Sequence, residues 1–331
     1  MFKLSLEAKE CKLDGLVCCE NISLDIINSL IDSKLLKDSF NEYKNRLVSN
    51  ERLMLQNYKN LYKHKKFNIT YKRSIPYGRV CADKGLSVFG MRKEIRHTLC
   101  SNKYIDIDIV NCHCVILSQI CSHNNIDCQN LNQYIKNRNN IIDEICIIYN
   151  ITDKLLVKNL FISLIFGGTF EWWLTKNKLN KIDNDITNFI INYQNELNNI
   201  KNIIVDHNKN LQEVIIKQKL EQKIKKYNII NTTFSIFLQD YENQILEQIY
   251  IYCYNNNYIK KNNCILCYDG IMIYKKNYKS KLCSELEKHI KQSLGFELNL
   301  ITKSMNDGYT TQEIKNNYYD RFDIILSDSE L

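Results

Sequence analysis

At 331 residues, with 44% hydrophobic and 25% charged side chains, the chain has the size and composition of a globular protein built as one large domain or a few subdomains sharing a core. A single Pro, against a usual share of about 5%, excludes collagen-like and Pro-rich linker classes. The 45 basic and 37 acidic residues leave a net charge of +8, which permits a polyanionic partner without demanding one. The fourteen cysteines show no repeating spacing and nothing after Met1 resembles a secretory leader, so an intracellular, reducing compartment is expected. The longest apolar stretches, such as Leu160 to Phe166, fall short of the roughly 18 residues that a membrane span needs, and no membrane partner is expected.

Residues 1–72 read mostly as helix, because apolar residues recur at helical spacing through Leu24 to Leu36 and Leu47 to Leu61. From Arg52 to Ala82 the chain carries eight basic residues and no acidic one: Arg52, Lys59, Lys63, Lys65, Lys66, Lys72, Arg73 and Arg79. Tyr58, Tyr62, Tyr71 and Tyr77 are interleaved with them. Cations within reach of phosphates and rings able to stack on bases make this stretch a candidate nucleic-acid groove, with a solvated basic helix face as the plain alternative. The helical pattern breaks at Pro76-Tyr77-Gly78. Tyr104 to Val110 then alternates apolar and acidic residues as a half-buried strand does, which puts Asp106 and Asp108 on one face. Helices are expected from Val115 to about Ile251. Cys264 to Tyr274 is two apolar runs flanking Asp269-Gly270, the signature of a tight hairpin with Asp269 at its tip. An amphipathic helix from Ser280 to Leu294 and a polar end complete the chain, and no internal repeat is present.

Two carboxylates on adjacent strands can hold two divalent cations for phosphoryl transfer, so Asp106 or Asp108 together with Asp269 forms the first candidate site. Each half alone is ordinary: an alternating strand face and a turn. Between them lies a helix capped by Thr152 or Asp153 and running to Gly167-Gly168. Along it Lys154, Lys158, Ile162 and Phe166 are spaced four apart and form one stripe, two cations followed by an apolar residue and a ring. Such a stripe suits a triphosphate and a base; an amphipathic helix with snorkelling lysines is the alternative.

In this order the three elements resemble the family A, polymerase I type DNA polymerases. Asp108 matches the strand-borne aspartate of that family's first motif. Lys154 and Lys158 match the Arg and Lys of its second, Phe166-Gly167 resembles the Tyr-Gly that follows, and Tyr268-Asp269 resembles the His-Asp of its third. Upstream, Gly78-Arg79, Leu86-Ser87 and Ile95-Arg96-His97-Thr98-Leu99 resemble the segment that precedes the first motif. Lys158 follows Asp108 by 50 residues and Asp269 follows Lys158 by 111, a spacing that accommodates fingers inserted in a palm. The phrase Asp106-Ile-Asp108-Ile-Val-Asn111-Cys-His113 looks closest to the compact branch found in transposons and viruses.

The resemblance implies an α+β right-hand polymerase with an antiparallel palm sheet and predominantly helical fingers and thumb. Residues 1–75 would be thumb-like, 76–122 the first part of the palm, 123–227 the fingers and 228–331 the second part of the palm. It implies template-directed addition of dNTPs to a primer 3′ end with two Mg²⁺ ions, Mn²⁺ being able to substitute, held by Asp108 and Asp269 with Asp106 as a further candidate ligand. Lys154 and Lys158 would meet the triphosphate, and Ile162, Phe166 and His113 would line the nucleotide. Arg79, Gln239 and the basic residues Lys63, Lys65, Lys66, Lys72 and Arg73 would meet primer-template DNA, with a helicase or primase of the same replicon as candidate partner. The stretch before Gly78 is too short for the family's proofreading domain, so no 3′-to-5′ exonuclease activity is expected.

The chain also departs from the family. His113 stands where a sugar-selecting Glu is usual, which leaves an RNA-synthesising polymerase or primase as the enzymatic alternative. Lys154 replaces an Arg and loses its bidentate fork, and Ile162 replaces an aromatic ring. An inactive nucleic-acid-binding accessory protein is the alternative from another class. Cys112, His113, Cys114, Cys121, His123 and Cys128, with Cys264 and Cys267, raise the question of zinc, but no regular Cys pair recurs in the first group and an apolar strand is an ordinary place for free Cys.

Overall fold

A computed structural model describes residues 2–41, 46–64 and 66–318. In chain order its elements begin with β1 (Val17–Glu20), α1 (Leu24–Ile31), β2 (Asp38–Asn41), β3 (Arg46–Asn50), α2 (Glu51–Lys59), β4 (Tyr62–Lys63), β5 (Lys66–Lys72) and β6 (Cys81–Ala82). They continue with α3 (Lys93–Cys100), β7 (Tyr104–Ile109), α4 (Cys112–His123), α5 (Gln129–Ile148), α6 (Lys154–Ile165), α7 (Phe170–Lys176), α8 (Asp185–Asp206), α9 (Lys209–Glu221) and α10 (Ile229–Asn255). The last are β8 (Cys264–Leu266), β9 (Gly270–Tyr274), α11 (Leu282–Leu294), β10 (Leu300–Lys303) and α12 (Thr311–Asn316).

The expectation of helix over residues 1–72 is corrected. Helix is confined there to α1 and α2, and β5 follows a period of two: Phe67, Ile69 and Tyr71 are buried while Lys66, Asn68 and Lys72 are exposed. β5 sits between β1 and β4 in an antiparallel sheet, with β6 also paired to it. The aromatic residues of the basic stretch mostly turn inward rather than toward a groove. Tyr58 donates to Glu20 Oε2 at 2.6 Å, Tyr71 accepts from the Leu266 amide at 3.2 Å, and Tyr77 is buried against Leu211 and Ile215. A buried phenol needs a polar partner, and Glu20 provides one under β1 while also accepting from Ser87 and the Val88 amide.

The second sheet has the order β10-β7-β9-β8, antiparallel throughout. Tyr104 pairs with Tyr274 and Asp108 with Gly270, so the expected strand and hairpin are neighbours. The absence of a side chain at Gly270 is a close-approach requirement, since a Cβ there would collide with the Ile107 carbonyl. Helices dominate from Cys112 to Asn255 as expected. α5 to α8 pack on one another, and α10 runs beside α4, α8, α9, α11 and β9, linking the helical block to the sheet. The expected amphipathic helix near the end is α11, which buries Leu282, Leu286 and Ile290. β10 was not anticipated; its Leu300 amide is held by Glu287 of α11 at 2.8 Å. Among the described residues no helix is long and apolar enough to cross a membrane.

Candidate active site

Alternation along β7 sends Ile107 and Ile109 to one side and Asp106 and Asp108 to the other, each aspartate only 7% exposed. Asp269 reaches the same place from the turn between β8 and β9. That turn is closed by the Cys267 amide on the Gly270 carbonyl at 3.0 Å, and the Asp269 carbonyl accepts from the Ile109 amide at 3.0 Å. Tyr268, just before it, has φ +52°, the left-handed region that costs a bulky side chain free energy. Its ring has two neighbours: the Arg79 guanidinium lies 3.8 Å from the centroid, and Phe89 meets it edge-on at 4.9 Å. The strained residue therefore aims Asp269 at Asp108.

Burial raises the proton affinity of all three carboxylates. Asp269 is pushed up to about 7, by desolvation first and then by the negative charges of Asp108 and Glu242. Asp106 rises to about 6, again through burial, opposed by Lys303 and reinforced by Asp108. Asp108 is also raised by burial, against the hydrogen bond from Lys303 Nζ to its Oδ2 at 2.6 Å and hydrogen-bonding proximity to Asp269. Two carboxylates withdrawn from solvent beside each other form a site that favours cations. Among the described residues no group of three or more His, Cys, Asp and Glu side chains has the closeness of a metal cage. A pair suffices for Mg²⁺, which ordinarily takes one or two carboxylates and completes its shell with water and phosphate oxygens. The donor set fits that ion.

Around the pair stands a ring of side chains from distant parts of the chain. β7 turns into α4 through Asn111, left-handed at φ +54°, a conformation that Asn tolerates well. His113, in the first turn of α4, meets Phe166 edge-on at 5.2 Å and places Nε2 3.1 Å from Glu242 Oε1, without the alignment of a hydrogen bond. Glu242, on α10 and 2% exposed, also receives Arg79 Nη1 at 3.3 Å. Arg96 on α3 adds a second positive charge acting on Asp106 and Asp108, while it donates to the Phe89 and Met91 carbonyls.

α6 begins as expected, with Asp153 as the cap accepting from the Leu155 amide at 2.8 Å. Lys154 is exposed and pairs with Asp143 at 2.5 Å, while Lys158 is half-buried and makes no ion pair among the described residues. Ile162 is 53% exposed, and Phe166 closes the helix beside His113. Gly167 follows at φ +89° and lies against Asn231, which leaves no room for a side chain; Asn231 Oδ1 in turn accepts from the buried Lys201 at 3.0 Å. Gln239 faces Gly78 from α10.

Asp106, Asp108, Asp269, His113, Phe166 and Arg79 thus come together. The basic set does not join them. Lys63, Lys66 and Lys72 are exposed on the other sheet, Lys72 near Asp83 at 3.5 Å, and Lys65 lies outside the described residues. Arg73 is a correction: its side chain is 6% exposed and is spent on Asp240 at 3.4 Å and on the Lys9 and Pro76 carbonyls, so it offers no free fork to a phosphate. Arg79 likewise turns inward onto Tyr268 and Glu242. Glu242 and Lys303 are the site residues that sequence reasoning missed. Of the cysteines weighed for zinc, Cys112, Cys114, Cys121 and Cys128 are buried in the core, and His123 packs edge-on against Phe2.

No protein-family profile matches the chain. A stretch of 238 residues, 69% of this chain, is 27% identical to a Sputnik virophage protein described as putative helicase V13, and the match spans 28% of that protein. Among solved structures the chain is similar to the POL domain of Pol1 from M. smegmatis, determined in complex with DNA primer-template and dNTP. That similarity has a TM-score of 0.47 and 9% identity, and covers 76% of this chain and 50% of the other. The chain thus spans about a quarter of the virophage protein and half of the POL domain structure.

Proposed function

We propose that this chain is a template-directed nucleotidyltransferase, a DNA polymerase that adds dNTPs to a primer 3′ end. The observation that carries the reading is the meeting of Asp108 and Asp269, from segments 161 residues apart, in a pair whose proton affinity is raised chiefly by burial. Asp108 and Asp269 would hold the divalent ions, with Asp106 beside them. Bound there, Mg²⁺ would lower the pKa of the primer hydroxyl and neutralise charge on the departing pyrophosphate. Lys158, half-buried and free of an ion pair among the described residues, balances triphosphate charge, and Lys154 joins it by exchanging its exposed contact with Asp143 for phosphate. Phe166, braced by His113, gives a nucleobase a surface to pack on. Arg79 keeps Tyr268, and through it Asp269, in place.

The match to a viral protein described as a helicase supports a role in replicating a virus or mobile element, with a helicase as partner. For the matched stretch itself the sequence favours nucleotidyl transfer. No glycine in it is followed by lysine, so the Gly-Lys-Ser/Thr phosphate loop of NTP-driven motors has no counterpart here.

The test is extension of a labelled primer on a DNA template with Mg²⁺, comparing dNTPs with NTPs and wild type with Asp108→Asn and Asp269→Asn. Extension by dNTPs that both substitutions abolish is expected. Extension mainly by NTPs would move the reading to RNA synthesis, which His113 in place of a carboxylate on α4 favours. Duplex binding without extension would leave a binding protein.

A further inference from the structure

We propose that Lys303 is a built-in counter-ion of the carboxylate pair, seated on Asp108 until a divalent cation displaces it. The inference rests on the reading of Asp108 and Asp269 as metal ligands and adds what controls that site. Register accounts for the placement. On β10, Lys303 pairs with Asp106 and Ile301 with Asp108, so Lys303 stands on the aspartate face of the sheet, directly across from one carboxylate and diagonal to the other. Its ammonium goes to the diagonal one, Asp108 Oδ2 at 2.6 Å. The same charge acts on Asp106 and Asp269, so this lysine reaches all three desolvated carboxylates, whereas Arg96 acts on Asp106 and Asp108 while bonded to the Phe89 and Met91 carbonyls.

The other charges facing the pair do not duplicate it. Arg96 is tied to two backbone carbonyls, Arg79 is tied to Glu242 and Tyr268, and Glu242 is itself negative. Lys303 is also built to leave. Its side chain is 48% exposed on a strand at the edge of the sheet, where a flexible four-carbon stem can swing the ammonium into solvent while the backbone stays paired. A metal approaching Asp108 meets a cation already bonded to one of its two oxygens and must take that oxygen from it. Lys303 thus supports the metal-free fold and weakens metal binding, two effects of opposite sign from one group.

Mn²⁺ binding followed by electron paramagnetic resonance at fixed pH and salt tests this, with metal-free melting as a second readout. Lys303→Met is expected to bind Mn²⁺ on the order of tenfold more tightly than wild type, to melt lower without metal, and to gain more in melting temperature when metal is added. Lys303→Arg, which keeps the charge, is expected to stay near wild type. Asp108→Asn is expected to lose binding in both the wild-type and Lys303→Met backgrounds, which locates the ion at the pair. Equal Mn²⁺ affinity in wild type and Lys303→Met overturns the counter-ion while leaving the metal site standing. Absence of binding in every variant overturns the counter-ion and the metal reading together.

Discussion

β7 and β5 are both alternating strands at the centre of antiparallel sheets, and they treat charge in opposite ways. β7 holds Asp106 and Asp108 at 7% exposure and surrounds them with Lys303, Arg96 and Asp269, whereas β5 sends Lys66 and Lys72 into water and packs Phe67, Ile69 and Tyr71 inward. A charge left in solvent costs little and does little by itself. A charge withdrawn from solvent must be matched, and that need makes the β7 face chemically responsive.

The sharpest way to break this contrast is to remove charge from each face in turn. Asp108→Asn and Asp269→Asn are each expected to lower primer extension by about a thousandfold or more, measured as single-turnover rates, while leaving the melting temperature intact or raised. Retained extension in either variant would sink the β7 face as the centre of chemistry. Next in size come two stability effects. Arg73→Ala removes the paired cation from Asp240, whose proton affinity is already raised by burial and which then keeps the neutral donors of the Gly78 amide and Gln244, and is expected to cost about 3 kcal/mol in denaturant unfolding. Gly270→Ala forces a side chain into the Ile107 carbonyl and separates β7 from β9, with a cost of similar order, about 3 kcal/mol. Lys66→Ala, by contrast, should shift unfolding by no more than about 0.5 kcal/mol.

A smaller effect carries a sign. The folded protein keeps a proton on Asp269 up to about pH 7, while the unfolded chain loses it near the ordinary 3.8. Stability therefore falls as pH rises through that window. In metal-free buffer at pH 8, Asp269→Asn should melt a few degrees above wild type, and the gain should vanish near pH 4, where the wild-type carboxyl is neutral. A gain that does not change with pH would remove desolvation as its cause. Smallest is the double change Lys66→Ala with Lys72→Ala. If β5 touches a duplex, it lowers the salt dependence of DNA binding by about one phosphate contact per lysine and leaves the extension rate of bound complex unchanged. An unaltered salt slope would mark these lysines as a solvated face.

What could be read from the sequence follows from how local each signal is. The strand at Tyr104, the hairpin around Asp269 and the cap at Asp153 are set by alternation, turn chemistry and capping within a few residues, and all three are present. The two-residue period of Lys66 to Lys72 is an equally local signal, but it is short and sits inside a longer run of basic residues that suits a helix face as well as a strand. Glu242 and Lys303 were beyond such reading. Glu242 sits in a helix among polar neighbours and becomes a site residue only because α10 packs that turn against α4 and Arg79. Lys303 ends a four-residue strand whose partner lies almost 200 residues earlier, and nothing near it in sequence declares that pairing.

The distance between those pairing strands also sets when the centre comes into existence. β7 has no neighbour until β9 and β10 arrive, some 165 and 195 residues later, and most of the chain between is helix, whose backbone pairing is local. Closing such a loop is slow compared with helix formation. During synthesis the helical block therefore takes shape while β7 waits with both edges open, exposed to wrong partners or to chaperones. The aspartates meet only once the hairpin reaches them, and Lys303 follows as the last of the site's residues to leave the ribosome.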